Sequence, residues 1–376
     1  MSWHDSRLGD VLTLQRGHDL PNTIRLEGDI PVVSSSGITG YHNEPKASAP
    51  GVVTGRYGTL GEVYYIEQDY WPLNTALYVT DFKGNHPRFI AYFLRNILRD
   101  YKSDKAAIPG VNRNVLHEMK VRFPDTQVQN CIASILSAYD DLIENNRRRI
   151  QLLEQAARLL YKEWFVHLRF PGHEHVKIKD GVPEGWEKGV VSDFYATASG
   201  GTPSRKTPDY YTGDVPWVKT QELTGGFILT TEERITEEAI KSSSAKLFPR
   251  HSVLIAMYGA TIGQTAILSV PSTTNQACCA VIPKAPGTTH AHAYLLFSHH
   301  KTDLVGLGQG AAQKNISQQV IKSFKMVLPT KGLLDAFSES VCPLFDQIEM
   351  LQKTNGRLTQ ARDLLLPRLM NGEVAV

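Results

Sequence analysis

From about Gln127 to Val166 the chain runs without proline or glycine, and apolar side chains recur at Ile132, Ile135, Tyr139, Leu142, Ile150, Leu153, Ala157, Leu160 and Trp164. The steps alternate between three and four, the repeat of a helix that buries one stripe against a partner helix. Asp125 and Thr126, just past Pro124, are residue types that cap helix N-termini. At about 1.5 Å per residue the predicted helix is roughly 60 Å long. A second such stretch runs from about Leu333 to Met370, with Leu344, Ile348, Leu351, Leu358 and Leu365 marking its apolar face. Pro343 and Gly356 interrupt it and predict a kink or break. Elsewhere the apolar runs are short. Gly51–Thr54 and Ser252–Ala256 read as strands bounded by turns, and Arg88 to Tyr101 and about Ala291 to Leu304 read as helices.

These patterns occur twice in the same order. Gly28-Asp29-Ile30-Pro31-Val32-Val33 is answered by Gly213-Asp214-Val215-Pro216-Trp217-Val218. Arg56-Tyr57-Gly58-Thr59-Leu60-Gly61 is answered, with one residue inserted, by Met257-Tyr258-Gly259-Ala260-Thr261-Ile262-Gly263. Asn74-Thr75-Ala76 matches Asn275-Gln276-Ala277, and Lys120-Val121-Arg122-Phe123-Pro124 matches Lys325-Met326-Val327-Leu328-Pro329. From there the offset stays at 205 (325 minus 120) through the helix that follows, where Asp141, Ile143 and Glu144 match Asp346, Ile348 and Glu349. An internal repeat of this length predicts two copies of one structural unit. The resulting division is a first sheet-rich domain over 1–124, a helix over 125–168, a Pro/Gly-punctuated connector over 169–186, a second sheet-rich domain over 187–330 and a second helix over 331–376.

Composition narrows the chemistry. A hydrophobic fraction of 41% and a charged fraction of 21% suit globular domains with their own cores. A net charge of +2 is only a faint sign of a nucleic-acid partner. The four cysteines, Cys131, Cys278, Cys279 and Cys342, have no zinc-ligand spacing and read as small buried apolar residues in a reducing compartment. His167, His173 and His175 lack a converging carboxylate or thiol, so no metal site is expected. The opening residues carry no signal-peptide run, and no stretch is long and apolar enough to span a membrane. No phosphate-binding loop, nucleophile elbow or His-Glu-x-x-His occurs, nor the Asn/Asp-Pro-Pro-aromatic run with which adenine methyltransferases hold the target amino group.

Two sheet-rich modules, each followed by a long helix, form a layout that resembles the specificity subunit of type I restriction–modification complexes. Trp164-Phe165-Val166 with Arg169-Phe170-Pro171-Gly172-His173 resembles the end of that family's first helical spacer. Pro183-Glu184-Gly185-Trp186 resembles the entry to its second target-recognition domain. Tyr258–Gly263, Asn275–Ala277 and Gly310-Ala311-Ala312-Gln313-Lys314-Asn315-Ile316-Ser317 resemble motifs of those domains. The resemblance implies an α+β fold of two target-recognition domains separated by two long antiparallel coiled-coil helices, in a pseudo-twofold repeat. It implies that each domain reads one half of a bipartite, asymmetric site in double-stranded DNA. It also implies that the helices set the gap and dock two methyltransferase subunits, which carry the S-adenosylmethionine. Two restriction subunits, using ATP and Mg, complete the cutting form. The chain itself would be non-catalytic, with no cofactor of its own, and cytoplasmic in a bacterium or archaeon. In the first domain the motifs are shorter, and Gly110-Val111-Asn112 replaces the Gln-Lys-Asn version.

Base readout needs Arg or Lys for guanine, Asn or Gln for adenine and small or apolar groups for thymine. Loops of the first half offer Gln15, Arg16, His18, Ser35, Arg56, Tyr57, Thr59, Asn112 and Arg113. Those of the second offer Ser204, Arg205, Lys206, Lys219, Gln221, Tyr258, Thr261, Gln264, Gln313, Lys314 and Asn315. Tyr57 and Tyr258 either reach DNA or pack beneath their loops. Asn145 and Asn146 either fix helix register from a buried position or share a solvated face with Arg147-Arg148-Arg149. Two other functions compete: a catalytic DNA enzyme, which would transfer methyl groups unaided, and a coiled-coil adaptor that binds protein or glycan through its sheet modules.

Overall fold

The fold is described from a computed structural model, over residues 3–56, 61–99, 112–308 and 315–376. The first sheet-rich segment contains β1 (Trp3–Arg7), α1 (Leu8–Val11), β2 (Thr13–Arg16), β3 (Ile30–Ser34), β4 (Gly37–His42), β5 (Gly51–Gly55), β6 (Val63–Ile66), β7 (Trp71–Pro72), β8 (Ala76–Asp81), α2 (Pro87–Leu98), α3 (Arg113–His117) and β9 (Lys120–Pro124). The long helix α4 (Thr126–Tyr161) follows, ending in a π-helical turn over Lys162–Val166. A short hairpin, β10 (Ile178–Lys179) and β11 (Val182–Pro183), precedes β12 (Glu187–Val190), α5 (Val191–Phe194), β13 (Tyr195–Ser199), β14 (Val215–Val218), β15 (Phe227–Ile228), β16 (Glu233–Ile235) and α6 (Glu237–Lys241). Then come β17 (Val253–Ala256), β18 (Thr265–Leu268), β19 (Thr273–Thr274), β20 (Cys278–Pro283), α7 (His290–His299), α8 (Lys301–Gly306), α9 (Gln318–Lys322), β21 (Lys325–Leu328) and the second long helix, α10 (Lys331–Met370).

The repeat is topological as well as sequential. In the first segment β1 pairs antiparallel with β9, a four-stranded sheet runs β2-β8-β5-β6, and a three-stranded sheet runs β4-β3-β7. In the second, β12 pairs with β21, a five-stranded sheet runs β13-β20-β17-β18-β15, and a three-stranded sheet runs β16-β14-β19. Each three-stranded sheet joins its central strand to one antiparallel and one parallel neighbour. The glycines of the repeated Gly-Asp motif have a steric reason. A Cβ on Gly28 would lie 2.4 Å from the His42 carbonyl oxygen, and one on Gly213 would lie 2.3 Å from that of Ile235.

The chain divides into two compact units, residues 1–144 with 357–376, and residues 145–356. In the first unit, Pro87 opens α2 behind the capping His86, whose side chain accepts from the Phe89 N–H. Phe89, Ile90, Phe93 and Leu94 of α2 then share a core with Val52, Val63, Leu77 and Val79 of the sheet. Val128, Ile132, Ala133 and Leu136 of α4 and Leu366, Leu369 and Met370 of α10 close it. In the second unit the core joins Val253, Ile255, Ile267 and Val281 of the sheet to Ala157 and Tyr161 of α4 and to Phe337, Val341, Phe345 and Ile348 of α10. There Asn146 meets Asn355 and Tyr161 meets Phe337, so α4 and α10 run antiparallel.

Several expected details change. Leu142 is 44% exposed and Ile143 takes its place in the buried stripe of α4. Along α10 Ile348 and Leu351 are buried as expected, Leu358 is half-buried, and Leu344 and Leu365 are half-buried against the cores beside the fully buried Phe345 and Leu366. Neither Pro343 nor Gly356 breaks α10, which is helical throughout; both lie on its exposed side, where lost packing costs least. The helix expected over 291–304 is two, α7 and α8, separated at His300. Asp125 caps α4 by accepting from the Val128 N–H at 3.0 Å. Cys278 and Cys279 are buried, and burial pushes the Cys279 thiol up to about 12, whereas Cys131 is exposed and so departs from the expected buried position.

Candidate nucleic-acid interface

In the first unit Gln15 and Arg16 stand exposed on β2, the edge strand of its sheet. His18 lies just beyond, with its Nε2 3.2 Å from the Tyr78 hydroxyl and its ring edge-on to Trp71. Gly17 allows this approach, since a Cβ there would come within 2.2 Å of the Leu73 carbonyl oxygen. Asn74, in the repeated Asn-x-Ala motif, donates its backbone N–H to the His18 carbonyl and its amide to the Asp19 carboxylate. Ser35 is half-buried in the turn between β3 and β4, and Arg56 donates its backbone N–H to the Thr75 carbonyl. Asn112 is exposed and caps α3, accepting from the Asn114 N–H at 2.9 Å, and the exposed Arg113 follows it. Tyr57 and Thr59 lie outside the described residues.

In the second unit a group of residues gathers on the sheet β16-β14-β19. Trp217 and Glu233 are cross-strand partners in β14 and β16. Arg205, on the loop before Thr207, lies over both: its guanidinium is 2.6 Å and 3.1 Å from the two Glu233 carboxylate oxygens, 5.2 Å from the Trp217 ring centre and 4.0 Å from that of Tyr211. Lys219 reaches the same carboxylate at 3.1 Å and that of Glu232 at 2.6 Å. The hydrogen bond from Arg205 holds the Glu233 carboxyl below its ordinary range, and the hydrogen bonds that Lys219 donates to Glu232 and Glu233 raise its ammonium above its own. Glu222 accepts the backbone N–H groups of Lys219 and Glu232, tying the turn that carries the exposed Gln221 into the same network. Ser204 and Lys206 flank Arg205 and are exposed.

The other candidates lie in a second group. Tyr258 packs, half-buried, against the core beside Ile262, and so takes the beneath-the-loop position. Gly259 (φ +85°) and Gly263 (φ +74°) turn the loop through the left-handed region that glycine tolerates. Thr261 accepts the Gln264 N–H at 2.8 Å. The exposed Asn315 is brought to this loop because the next residue, Ile316, donates its N–H to the Met257 carbonyl at 2.8 Å. Gln264 lines a cleft of about 620 Å³ with Glu154, Arg158 and Lys162 of the long helix and Lys301 of α8. Gln313 and Lys314 lie outside the described residues.

Sequence reading missed Tyr211, Trp217 and Glu233. Only the acidic pair Glu232-Glu233 beside β-type residues hinted at them, because a partner across a sheet has no fixed sequence distance. Among the described residues, no helix is long and apolar enough to cross a membrane.

Comparison with known proteins gives a consistent result. A family model described as the type I restriction modification DNA specificity domain matches residues 1–155 and again 183–332. The type I restriction enzyme MjaIX specificity subunit of Methanocaldococcus jannaschii is 28% identical over 280 residues, covering 73% of this chain and 65% of the relative. The HindI specificity subunit of Haemophilus influenzae is 25% identical over 338 residues, covering 73% of each. The crystal structure of a type I restriction–modification S subunit from M. genitalium superposes with a TM-score of 0.64 at 14% identity, over 98% of this chain and 96% of that one. That similarity is one of fold.

Proposed function

Because this chain belongs to the type I restriction modification DNA specificity family, we propose that it is the DNA sequence-specificity subunit of such a system. Each sheet-rich module reads one half of a bipartite, asymmetric site in double-stranded DNA. The long helices set the gap between the halves and dock methyltransferase subunits, two per chain, which bind S-adenosylmethionine and methylate adenine. Two restriction subunits, with ATP and Mg, extend the complex to cleavage. The chain itself is non-catalytic and works in the cytoplasm.

The observation that supports this most is the duplicated topology. Each module closes on its first strand, β1 with β9 and β12 with β21, and runs directly from that pairing into a long helix. Equivalent scaffolds with different exposed residues are what two half-sites of different sequence require. Phosphate contacts position such a module and base-edge contacts specify sequence.

The test is methylation mapping of host genomic DNA with and without this gene. Deletion should abolish adenine methylation at one two-part motif with a fixed internal gap. An unchanged methylome would sink the proposal, as would methyl transfer by the purified chain alone.

A further inference from the structure

Arg205 is built to do more than carry charge. It stands on the loop 200–207, which is tied to Trp217 of the sheet, to Tyr211 and to Gln276, and is closed by one bond within itself. Trp217 Nε1 donates to the Gly201 carbonyl at 3.0 Å, and the Tyr211 hydroxyl donates to the Pro203 carbonyl at 2.7 Å. Thr202 bonds the Gln276 side chain, and the Thr207 N–H donates to the Ser204 carbonyl at 3.2 Å. On this platform the guanidinium is clamped end-on by Glu233 and stacked on Tyr211, yet its side chain remains 55% exposed.

The clamp consumes one hydrogen each from Nη1 and Nη2. A guanidinium has five N–H donors, so the Nε edge and the remaining Nη hydrogens have no acceptor among the described residues. Two parallel donors on a rigid plane match the O6 and N7 acceptors of guanine in the major groove. The surroundings disfavour the alternative use of this arginine, as a phosphate anchor. Three carboxylates, Glu222, Glu232 and Glu233, outnumber the two cations Arg205 and Lys219 within the network. With the exposed Lys206 beside it the patch is close to neutral, so it adds little attraction for a polyanion, and what the free guanidinium edge offers is a hydrogen-bond pattern. In the first module the His18 N–H bonds the Pro72 carbonyl as the Gly201 N–H bonds the Thr274 carbonyl in the second, which sets Asn22 at the position of Arg205, so the arginine belongs to one module alone.

We infer that Arg205 is a specificity-determining residue that reads a guanine in the half-site of the second module, with Glu233 and Tyr211 as its positioning residues. This rests on the specificity-subunit reading above.

The test maps adenine methylation in cells expressing the chain as wild type, Arg205→Lys, Arg205→Ala or Glu233→Ala. The wild-type motif should contain a G·C pair in one half-site that both Arg205 variants cease to require. Discrimination there should fall about 5- to 150-fold, the worth of one bidentate base contact, with every other position unchanged. Glu233→Ala should relax the same position while strengthening binding to a random-sequence duplex at low salt, since the released guanidinium gains access to phosphate. An unchanged motif in all variants, or half-sites without guanine, overturns the inference. So does a uniform loss across all positions, or a lowered melting temperature for Arg205→Lys, either of which makes Arg205 a phosphate or scaffold residue. If the wild-type chain directs no motif at all, the specificity-subunit reading fails instead.

Discussion

Asn146 Nδ2 donates a 2.9 Å hydrogen bond to Oδ1 of Asn355, joining α4 to α10 within the second unit. Asn146 is 3% exposed. The offset of 205 that relates the two halves maps this pair onto Ile150 and Leu351, which are apolar. The polar pair therefore has no counterpart across the repeat and marks one register of an otherwise apolar seam. Replacing Asn355 by Ala strands a buried amide and should cost about 1–3 kcal/mol. Replacing both asparagines by Leu should be close to neutral or stabilising, with a broader set of helix registers. Denaturant melts check the first expectation, and crosslinking between engineered cysteines along the two helices checks the second.

A charged cluster seats the first module on its helices. Arg362 of α10 bonds Asp140 of α4, which also accepts the Tyr92 hydroxyl at 2.6 Å, while Arg88 of α2 bonds Asp141. Asp140→Ala leaves the Tyr92 hydroxyl without its acceptor and leaves Arg362, 17% exposed, with Asp363 alone. The expected cost is about 1–3 kcal/mol, read as a shift in the urea midpoint. Asp141→Ala, on the exposed side, should cost less than half as much.

Acid should loosen the second unit in two stages. Burial lowers His292 to about 4, its Nδ1 lying 2.6 Å from the Tyr195 hydroxyl, and burial together with the neighbouring His251 lowers His290 to about 4. Both are neutral in the fold and take up protons more readily once unfolded. Stability is therefore full above about pH 6.5 and declines toward pH 4. Burial of Glu349 alone would raise its carboxyl, but hydrogen bonds from Lys353, Ser269 and Arg250 hold it at about 2. Its contribution is present above about pH 4.5 and is lost as pH falls toward 2. Melting temperature against pH should show both declines. Glu349→Gln should flatten the lower one and leave the upper intact, and a flat profile between pH 6.5 and 4 would refute the first.

The paired glycines Gly28 and Gly213 should respond alike. Alanine at either drives its Cβ into a backbone carbonyl at about the same distance, and such overpacking costs roughly 1–3 kcal/mol. If one substitution were harmless, the shared motif would have different structural causes in the two modules.

A four-residue insertion after Glu144 should lengthen the gap of the methylated motif and leave the bases of both half-sites unchanged. A helix gains about 6 Å from four residues. Altered half-site bases in the methylome would contradict the assignment of spacing to the helices and reading to the modules.

The duplicated plan, the long helices and the α+β class were legible in the chain because each is written in local periodicity or in order along the sequence. A heptad pattern states that a helix buries a stripe, and a repeat states that a fold recurs. Which of two adjacent residues enters the stripe was not legible. Leu142 and Ile143 are both apolar, and only the folded chain buries Ile143 and leaves Leu142 exposed. Asn146 was legible as a polar residue near a seam, but its burial depended on Asn355 arriving from 209 residues away. The same holds for Arg205. As a loop arginine it was one of many basic residues, and Glu233, Trp217 and Tyr211 became its neighbours only when β14 paired with β16. Patterning along a chain specifies what must be buried, whereas hydrogen-bond and charge partners are chosen by which surfaces the folded backbone brings within about 3 Å.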